Sequence, residues 1–218
     1  MSNSVEIKAV LWDFGGVITT SPFDAFTRFE QEHNLPPDFI RGINSTNPDT
    51  NAWAQIESTR ITVEEFDELF AVEARSLGFE VRGSQVLALL GGDLRPSMVG
   101  ALSLIRQRFK TGCITNNMRN SGNGPGMAPG ERATRFAEVM DLFDIVVESS
   151  RVGIRKPNPE IYLLACSQLQ IEPVEAVFLD DLGINLKPAK ALGMRTIKVV
   201  SADQALDELE VHLDMVLR

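Results

Sequence analysis

The chain has 218 residues, enough for one ordinary domain carrying a large insert. Hydrophobic residues make up 44% and charged residues 23%, the balance of a globular protein rather than a fibrous or disordered one. A net charge of −9 argues against a general nucleic-acid binder, and no apolar run is long enough to span a bilayer.

The opening Met1-Ser2-Asn3-Ser4 lacks the basic and apolar regions of a signal peptide, so the cytosol is the expected compartment. The two cysteines, Cys113 and Cys166, lie in apolar segments and read as small core residues. The two histidines, His33 and His212, have nothing catalytic beside them, which argues against a His-rich zinc site or a Ser-His-Asp triad.

The run Val5 to Trp12 predicts a buried strand that ends in Asp13, followed at once by Phe14, Gly15 and Gly16. A buried strand has no use for a charge, so Asp13 is expected at its C-terminal mouth. The two glycines allow a tight turn and a close approach of backbone to ligand. The plain alternative is an Asp that opens a turn or caps a helix.

From about Ser21 to Leu90 the pattern is helical. Phe23, Phe26 and Phe29 share a face, and Leu35-Pro36-Pro37 breaks that helix. Asn44 to Asn51 reads as a loop, and Trp53 to Glu57 starts a second helical piece. Thr62-Val63-Glu64-Glu65 is a capping box before a helix with Phe66, Leu69, Phe70 and Ala74 on one face, ended by Gly78.

From Gly91 onward strands and helices alternate. Arg95-Pro96 opens a helix through Met98, Leu102 and Ile105, with Phe109 on the same face. Gly112-Cys113-Ile114 is a short strand ending in Thr115-Asn116-Asn117. The stretch Arg119 to Gly130 is too rich in Gly and Pro for regular structure. A helix to about Met140 precedes a third strand, Phe143 to Val147, and Ser149 to Arg155 reads as a loop. Lys156-Pro157-Asn158-Pro159 opens the next helix. Ala176 to Leu179 is a fourth strand ending in Asp180-Asp181. A helix closed by Gly193, a fifth strand at Thr196 to Val200 and a last helix capped by Ser201 complete the chain.

This order predicts an α/β fold: a Rossmann-like parallel sheet in a three-layer α/β/α core, residues 1–20 and 91–218, with an all-helical cap at 21–90. Asp13, Thr115-Asn116, the loop leading to Lys156, and Asp180-Asp181 then share the carboxyl edge of the sheet, where such folds bind ligands. Carboxylates packed together repel, so a cation is expected among Asp13, Asp180 and Asp181, and oxygen ligands favour magnesium. Lys156 stands before a helix N-terminus, an unfavourable place for a cation unless an anion partners it. Thr115 and Asn116 offer a hydroxyl and an amide suited to phosphoryl oxygens. Each motif alone has a bland reading as a turn, a helix start or a solvated Lys; their convergence at one edge carries the argument.

With Asp13-Phe14-Gly15-Gly16-Val17, Thr115-Asn116, Lys156-Pro157 and Asp180-Asp181 in place, the chain resembles the haloacid dehalogenase superfamily of hydrolases with a helical cap. The tail from Gly153 through Phe178-Leu179-Asp180-Asp181-Leu182-Gly183-Ile184-Asn185-Leu186 is most similar to the N-terminal phosphatase domain of soluble epoxide hydrolase. The resemblance implies a magnesium-dependent phosphatase for a small phosphomonoester. Asp13 would be the nucleophile and form an aspartyl-phosphate. Gly15 would give its backbone carbonyl to the metal, which Asp13 and Asp181 also ligate. Thr115 and Asn116 would bind the phosphoryl group, Lys156 would hold nucleophile and phosphate together, and Asp180 and Asn185 would support the site.

One departure matters. Phosphatases of this family usually carry a second Asp, the general acid and base, two residues after the nucleophile, and this chain has Gly15 there. The loss is worth about 10²–10⁴ in rate. Candidates for a replacement are Glu57 and the loop after Asn117. Two alternatives follow: a 2-haloacid dehalogenase, whose branch also lacks the second Asp but needs no metal, and a catalytically weak binding or regulatory protein.

Overall fold

The computed structural model describes residues 5–117 and 131–218. Its centre is a five-stranded parallel sheet in the order β3-β2-β1-β4-β5, built from β1 (Ala9–Trp12), β2 (Lys110–Thr115), β3 (Ile145–Glu148), β4 (Ala176–Asp180) and β5 (Arg195–Lys198). Successive residues of β1 alternate between two cores, as the two-residue strand period requires. Val10 and Trp12 pack with α6 (Pro96–Ile105), α7 (Glu131–Met140) and α11 (Ala202–Leu213), while Ala9 and Leu11 pack with α9 (Pro159–Leu169) and α10 (Gly183–Ala191). The result is the expected three-layer α/β/α sandwich. Among the described residues, no helix is long and apolar enough to cross a membrane.

The helices α1 (Phe23–Glu32), α2 (Phe39–Ser45), α3 (Ala52–Glu57), α4 (Val63–Ser76) and α5 (Gly83–Ala88) lie between β1 and β2. They have a core of their own, with Phe26, Phe39, Ile40, Ile56, Phe66 and Phe70 buried in it. The two connections to this insert run side by side: Thr20 N donates to Asp93 O at 2.8 Å, and Arg95 N donates to Ile18 O at 2.8 Å.

Several boundaries differ from the sequence expectation. The first strand begins at Ala9 rather than Val5, because only Ala9–Trp12 lies between two neighbours; Val5 is half-exposed and Lys8 instead pairs with Glu175. The third strand starts at Ile145: Phe143 belongs to the core and the Asp144 carboxylate accepts from Thr111 N at 2.7 Å. The fifth is Arg195–Lys198, short of Val200, which is exposed. Leu69 sits on the exposed side of α4, and Ala71 replaces it on the buried face.

Three helices were not legible in the pattern: α2, α5 and α8 (Ser149–Val152), the last standing where a loop was expected. In each case a side chain from elsewhere in the chain helps close the first turn, and in α5 Gln85 also accepts from Arg82 N at 2.9 Å. Glu30 accepts from Asp38 N and Ile40 N for α2, Asp67 accepts from Ser84 N for α5, and Asn117 accepts from Ser150 N for α8. Helices with a local cap fall where expected: the Thr62–Glu65 and Ser201–Gln204 capping boxes are both formed, and Asn158 caps α9 with Pro159 at its first turn. The Gly/Pro-rich stretch Arg119 to Gly130 lies outside the described residues.

Candidate active site

Strand register builds the site. Trp12 is level with Cys113 on one side and Leu179 on the other, so the next residues, Asp13 and Asp180, stand side by side at the carboxyl edge, with Asp180 still paired to Lys198 of β5. Asp13 N donates to Leu179 O at 2.8 Å, which keeps the two chain ends parallel past the last ladder pair. The chain runs outward from β1 to β2 and β3 and then returns to β4 on the opposite side of β1. The reversal opens the crevice where parallel sheets place their ligands.

After Asp13 the chain makes a tight turn over Phe14–Ile18. The Asp13 carboxylate accepts from Phe14 N at 2.7 Å, which fixes its orientation. The two glycines of the turn differ. Gly16 has φ +76, and a Cβ there would overlap the Asp181 carboxylate. Gly15 has φ −68 and ψ 130, ordinary extended backbone, and a Cβ there would meet nothing within 4 Å. Gly16 is therefore required by geometry, while Gly15 is not.

Lys156 comes to this edge from the loop between α8 and α9. Its side chain is 1% exposed, and its Nζ lies 2.8 Å from Asp13 Oδ1 and 2.8 Å from Asp180 Oδ2. Asp180 is wholly buried and fully bonded: it also accepts from Leu182 N at 2.8 Å and from Asn185 Nδ2 at 3.0 and 3.1 Å. Tyr162 holds Asn185 in turn through its carbonyl, at 2.7 Å. A buried ammonium must be compensated or it loses its proton. Burial alone would lower the Lys156 pKa, but Asp13 and Asp180 outweigh it and hold the pKa above its ordinary value.

Asp13, Asp180 and Asp181 can bring one oxygen each within 4.8 Å of one another. Among the described residues, three carboxylates against one ammonium leave an excess of two negative charges. The strain shows in the protonation equilibria. Burial, then the neighbouring Asp180, push Asp181 up to about 6, and burial raises Asp13 well above the usual carboxylate range despite Lys156. Asp181 has Ser21 Oγ as a side-chain partner, at 3.4 Å, and no basic partner among the described residues. An all-oxygen donor set with an excess of two charges fits a small hard divalent cation, and magnesium meets that description.

Thr115 ends β2 at the same edge, largely buried, and lines the same cavity as Asp13. Asn116 is engaged differently from expectation. Its side chain pairs with the Lys156 backbone, accepting from Lys156 N at 2.8 Å and donating to Lys156 O at 3.0 Å. It fixes the loop that carries the lysine. The other expected members, Lys156, Asp180, Asp181, Gly15 and Asn185, all reach the edge. Sequence reasoning did not single out Arg155, Trp53 or Ser21. A basic residue directly before Lys156 and a Trp one helical turn before Glu57 were the available signals.

The edge opens on a cavity of about 1120 Å³ whose far wall is the insert, with Phe23, Phe26 and Trp53 among its lining. Glu57 also lines it and is buried, with Trp53 Nε1 at 2.9 Å and Arg155 Nη2 at 3.0 Å.

The fold and the four motifs define a class, and comparison with known proteins agrees. The haloacid dehalogenase-like hydrolase family model matches residues 7–193, and the chain belongs to that family. It is 33% identical over 217 residues to bifunctional epoxide hydrolase 2 of Mus musculus, covering 94% of this chain but 38% of that protein. It is 26% identical to phosphatase MT3486 of Mycobacterium tuberculosis, across 93% of this chain and 92% of that one. Among solved structures, a HAD family enzyme of Bacteroides thetaiotaomicron in complex with magnesium and inorganic phosphate superposes with a TM-score of 0.57 at 22% identity, over 88% of this chain and 93% of the other. The chain is thus a hydrolase of this family, and it spans less than two fifths of the epoxide hydrolase it matches.

Proposed function

We propose that this chain is a magnesium-dependent phosphatase acting on a small phosphomonoester through Asp13. The observation that carries this reading is the pairing of Asp13 with buried Lys156 beside two further carboxylates at one sheet edge. An Asp13 oxygen attacks phosphorus, the bond to the leaving oxygen breaks, and an aspartyl-phosphate forms; water then releases phosphate and restores the carboxylate. Lys156 offsets charge on nucleophile and phosphoryl oxygens. The Thr115 hydroxyl, on the cavity wall, would donate to a phosphoryl oxygen, and Asn116 would keep Lys156 in position. Asp13, Asp181 and the Gly15 carbonyl would hold magnesium, which neutralises the charge that would otherwise repel a phosphate from this edge. The full-length phosphatase relative and the magnesium- and phosphate-bound structural neighbour support the same reading.

In this reading residues 1–20 and 91–218 are the catalytic core. Residues 21–90 are a cap that closes over the cavity about the paired connections at Thr19-Thr20 and Gly91-Gly92. The dehalogenase alternative draws on Gly15, but that chemistry needs no metal and gives Asp181 no task. A panel of phosphate esters and 2-haloacids, assayed with magnesium and with excess EDTA, decides between them. Phosphate release that stops in EDTA is expected; halide release unaffected by EDTA would replace this reading.

A further inference from the structure

Among the described residues, side-chain bonds between the insert and the core include Ser21 Oγ to Asp181 and Thr59 Oγ1 to Ser150 O, and others gather on two residues, Arg155 and Glu57. Arg155 belongs to the core and directly precedes Lys156, yet its guanidinium serves the insert: Nη2 lies 3.0 Å from Glu57 Oε2, and Nη1 donates to Pro48 O at 3.1 Å. Glu57, at the end of α3, reaches back into the core. Its second carboxylate contact is Asn116 Nδ2 at 3.5 Å, and its own carbonyl accepts from Ser149 Oγ at 3.0 Å. Asn116 is the residue that brackets the Lys156 backbone. A contiguous path therefore leads from a carboxylate on the insert, through Asn116 and Arg155, to both sides of Lys156 and so to Asp13.

Glu57 was a candidate for the acid that Gly15 cannot supply. Its surroundings point elsewhere. Trp53, Arg155 and Asn116 all present N–H donors to its two oxygens, an arrangement that serves a carboxylate and leaves no free proton to give. Burial holds its pKa above the ordinary carboxylate value, opposed in part by Arg155 and the Trp53 indole; what speaks against a proton donor is the set of three N–H groups that face it.

We propose that Glu57 is a positioning residue for the proposed phosphatase reaction: with Arg155 it seats the insert on the core and, through Asn116, holds Lys156 where it must meet Asp13. The proposal rests on the phosphatase reading for its kinetic consequence but not for its geometry. A lysine that drifts by a fraction of an ångström loses electrostatic stabilisation of the transition state whatever the leaving group. A lost proton donor, in contrast, slows poor leaving groups alone.

The test is Glu57→Gln, read two ways on the whole chain. With magnesium, single-turnover release of para-nitrophenol and of a simple alkyl alcohol from their phosphates should slow together, by about 10–100-fold. Hydrogen exchange of the Lys156 amide, which donates to Asn116, should accelerate by about tenfold or more while global stability holds. Arg155→Lys keeps the charge but loses the fork, and should reproduce both effects; it carries the test if Glu57→Gln does not fold. The double variant should be no slower than the slower single one, since the two act as a unit. Loss confined to the alkyl ester makes Glu57 the proton donor and overturns the proposal. So does either readout left at its wild-type value, or independent, multiplying effects. If the wild type hydrolyses neither ester, the phosphatase reading fails, and Lys156 amide exchange alone decides the positioning role.

Discussion

The sheet edge and the helical insert face each other across one cavity and are built on opposite terms. At the edge, Asp13, Lys156, Asp180 and Asn185 form one bonded cluster, each nearly buried, with Asp13 and Asp180 fixed by strand ends held in register. Across from them the insert offers Phe23, Phe26 and Trp53 from a core that is its own, joined to the rest by two adjacent connections and a small polar contact around Glu57. The difference teaches a division of labour. Chemistry that needs fixed charges sits on the sheet, where rigidity comes from the ladder. Recognition can sit on a separately packed element, because an apolar wall tolerates movement and substitution that a charge cluster does not. Glu57 is the exception, an insert residue held as tightly as the edge itself.

The comparison can be broken most severely at Asp13. Asp13→Asn should reduce turnover at least about ten-thousandfold while the far-ultraviolet spectrum and unfolding transition remain those of a folded protein. Retention of the wild-type rate would reduce Asp13 to a turn residue and remove the chemistry from the edge.

The next effect concerns the vacant place at Gly15. Aryl or acyl phosphates should outpace simple alkyl phosphates in single-turnover release by about 10²–10⁴, since an alkoxide needs the proton that Gly15 cannot give. The backbone at Gly15 and the open space beyond its Cβ position accept a side chain. Gly15→Asp should therefore fold and narrow that gap; equal rates in the wild type, with chemistry limiting, would place the acid elsewhere.

Lys156→Met tests how far the edge depends on its single ammonium. Removing it leaves Asp13 and Asp180 buried without a cation, a change that costs about 3–5 kcal/mol in urea unfolding in the presence of EDTA. Magnesium should recover part of that loss by binding the bared carboxylates. A variant as stable as wild type in EDTA would mean that the pair contributes nothing net.

Smaller, and sharper as a contrast, are the two adjacent glycines. Gly16→Ala should destabilise by about 1–3 kcal/mol, from its left-handed backbone and the overlap with Asp181, whereas Gly15→Ala should stay within about 0.5 kcal/mol. Equal costs would show that the turn relaxes.

The gentlest probe is pH. Asp181 titrates at about 6 without metal because burial and Asp180 oppose its charge, so a proton competes with magnesium there. Calorimetric magnesium affinity should fall as pH drops through that point, and the raised Asp13 carboxyl adds a second competing proton. The metal-free protein should shift the other way. A carboxyl raised in the folded state stabilises it at low pH, and that contribution fades as pH rises through about 6. An affinity indifferent to pH between 5 and 7 would remove Asp181 from the ligand set.

Features whose causes lie close together along the chain were legible in one dimension. Short apolar runs ended by Asp13, Thr115 and Asp180 marked strand mouths, because a charge or hydroxyl after a buried strand has one sensible place to be. The Thr62 and Ser201 capping boxes and the Asn158–Pro159 start marked helices, because donor and acceptor lie within one turn. Tertiary structure decided the rest. It capped α2, α5 and α8 with Glu30, Asp67 and Asn117, side chains 8 to 33 residues away from the amides they satisfy, and the one local partner at α5, Gln85 on Arg82 N, follows an Arg rather than a Ser, Thr, Asp or Asn. It turned Asn116 onto the Lys156 backbone, brought Arg155 to Glu57 across 98 positions of chain (155 − 57), and told Gly15 from Gly16 by what lies beyond each Cβ. A one-dimensional string carries residue types and spacing. Only the packed chain sets which groups meet, and desolvation then decides what each meeting is worth.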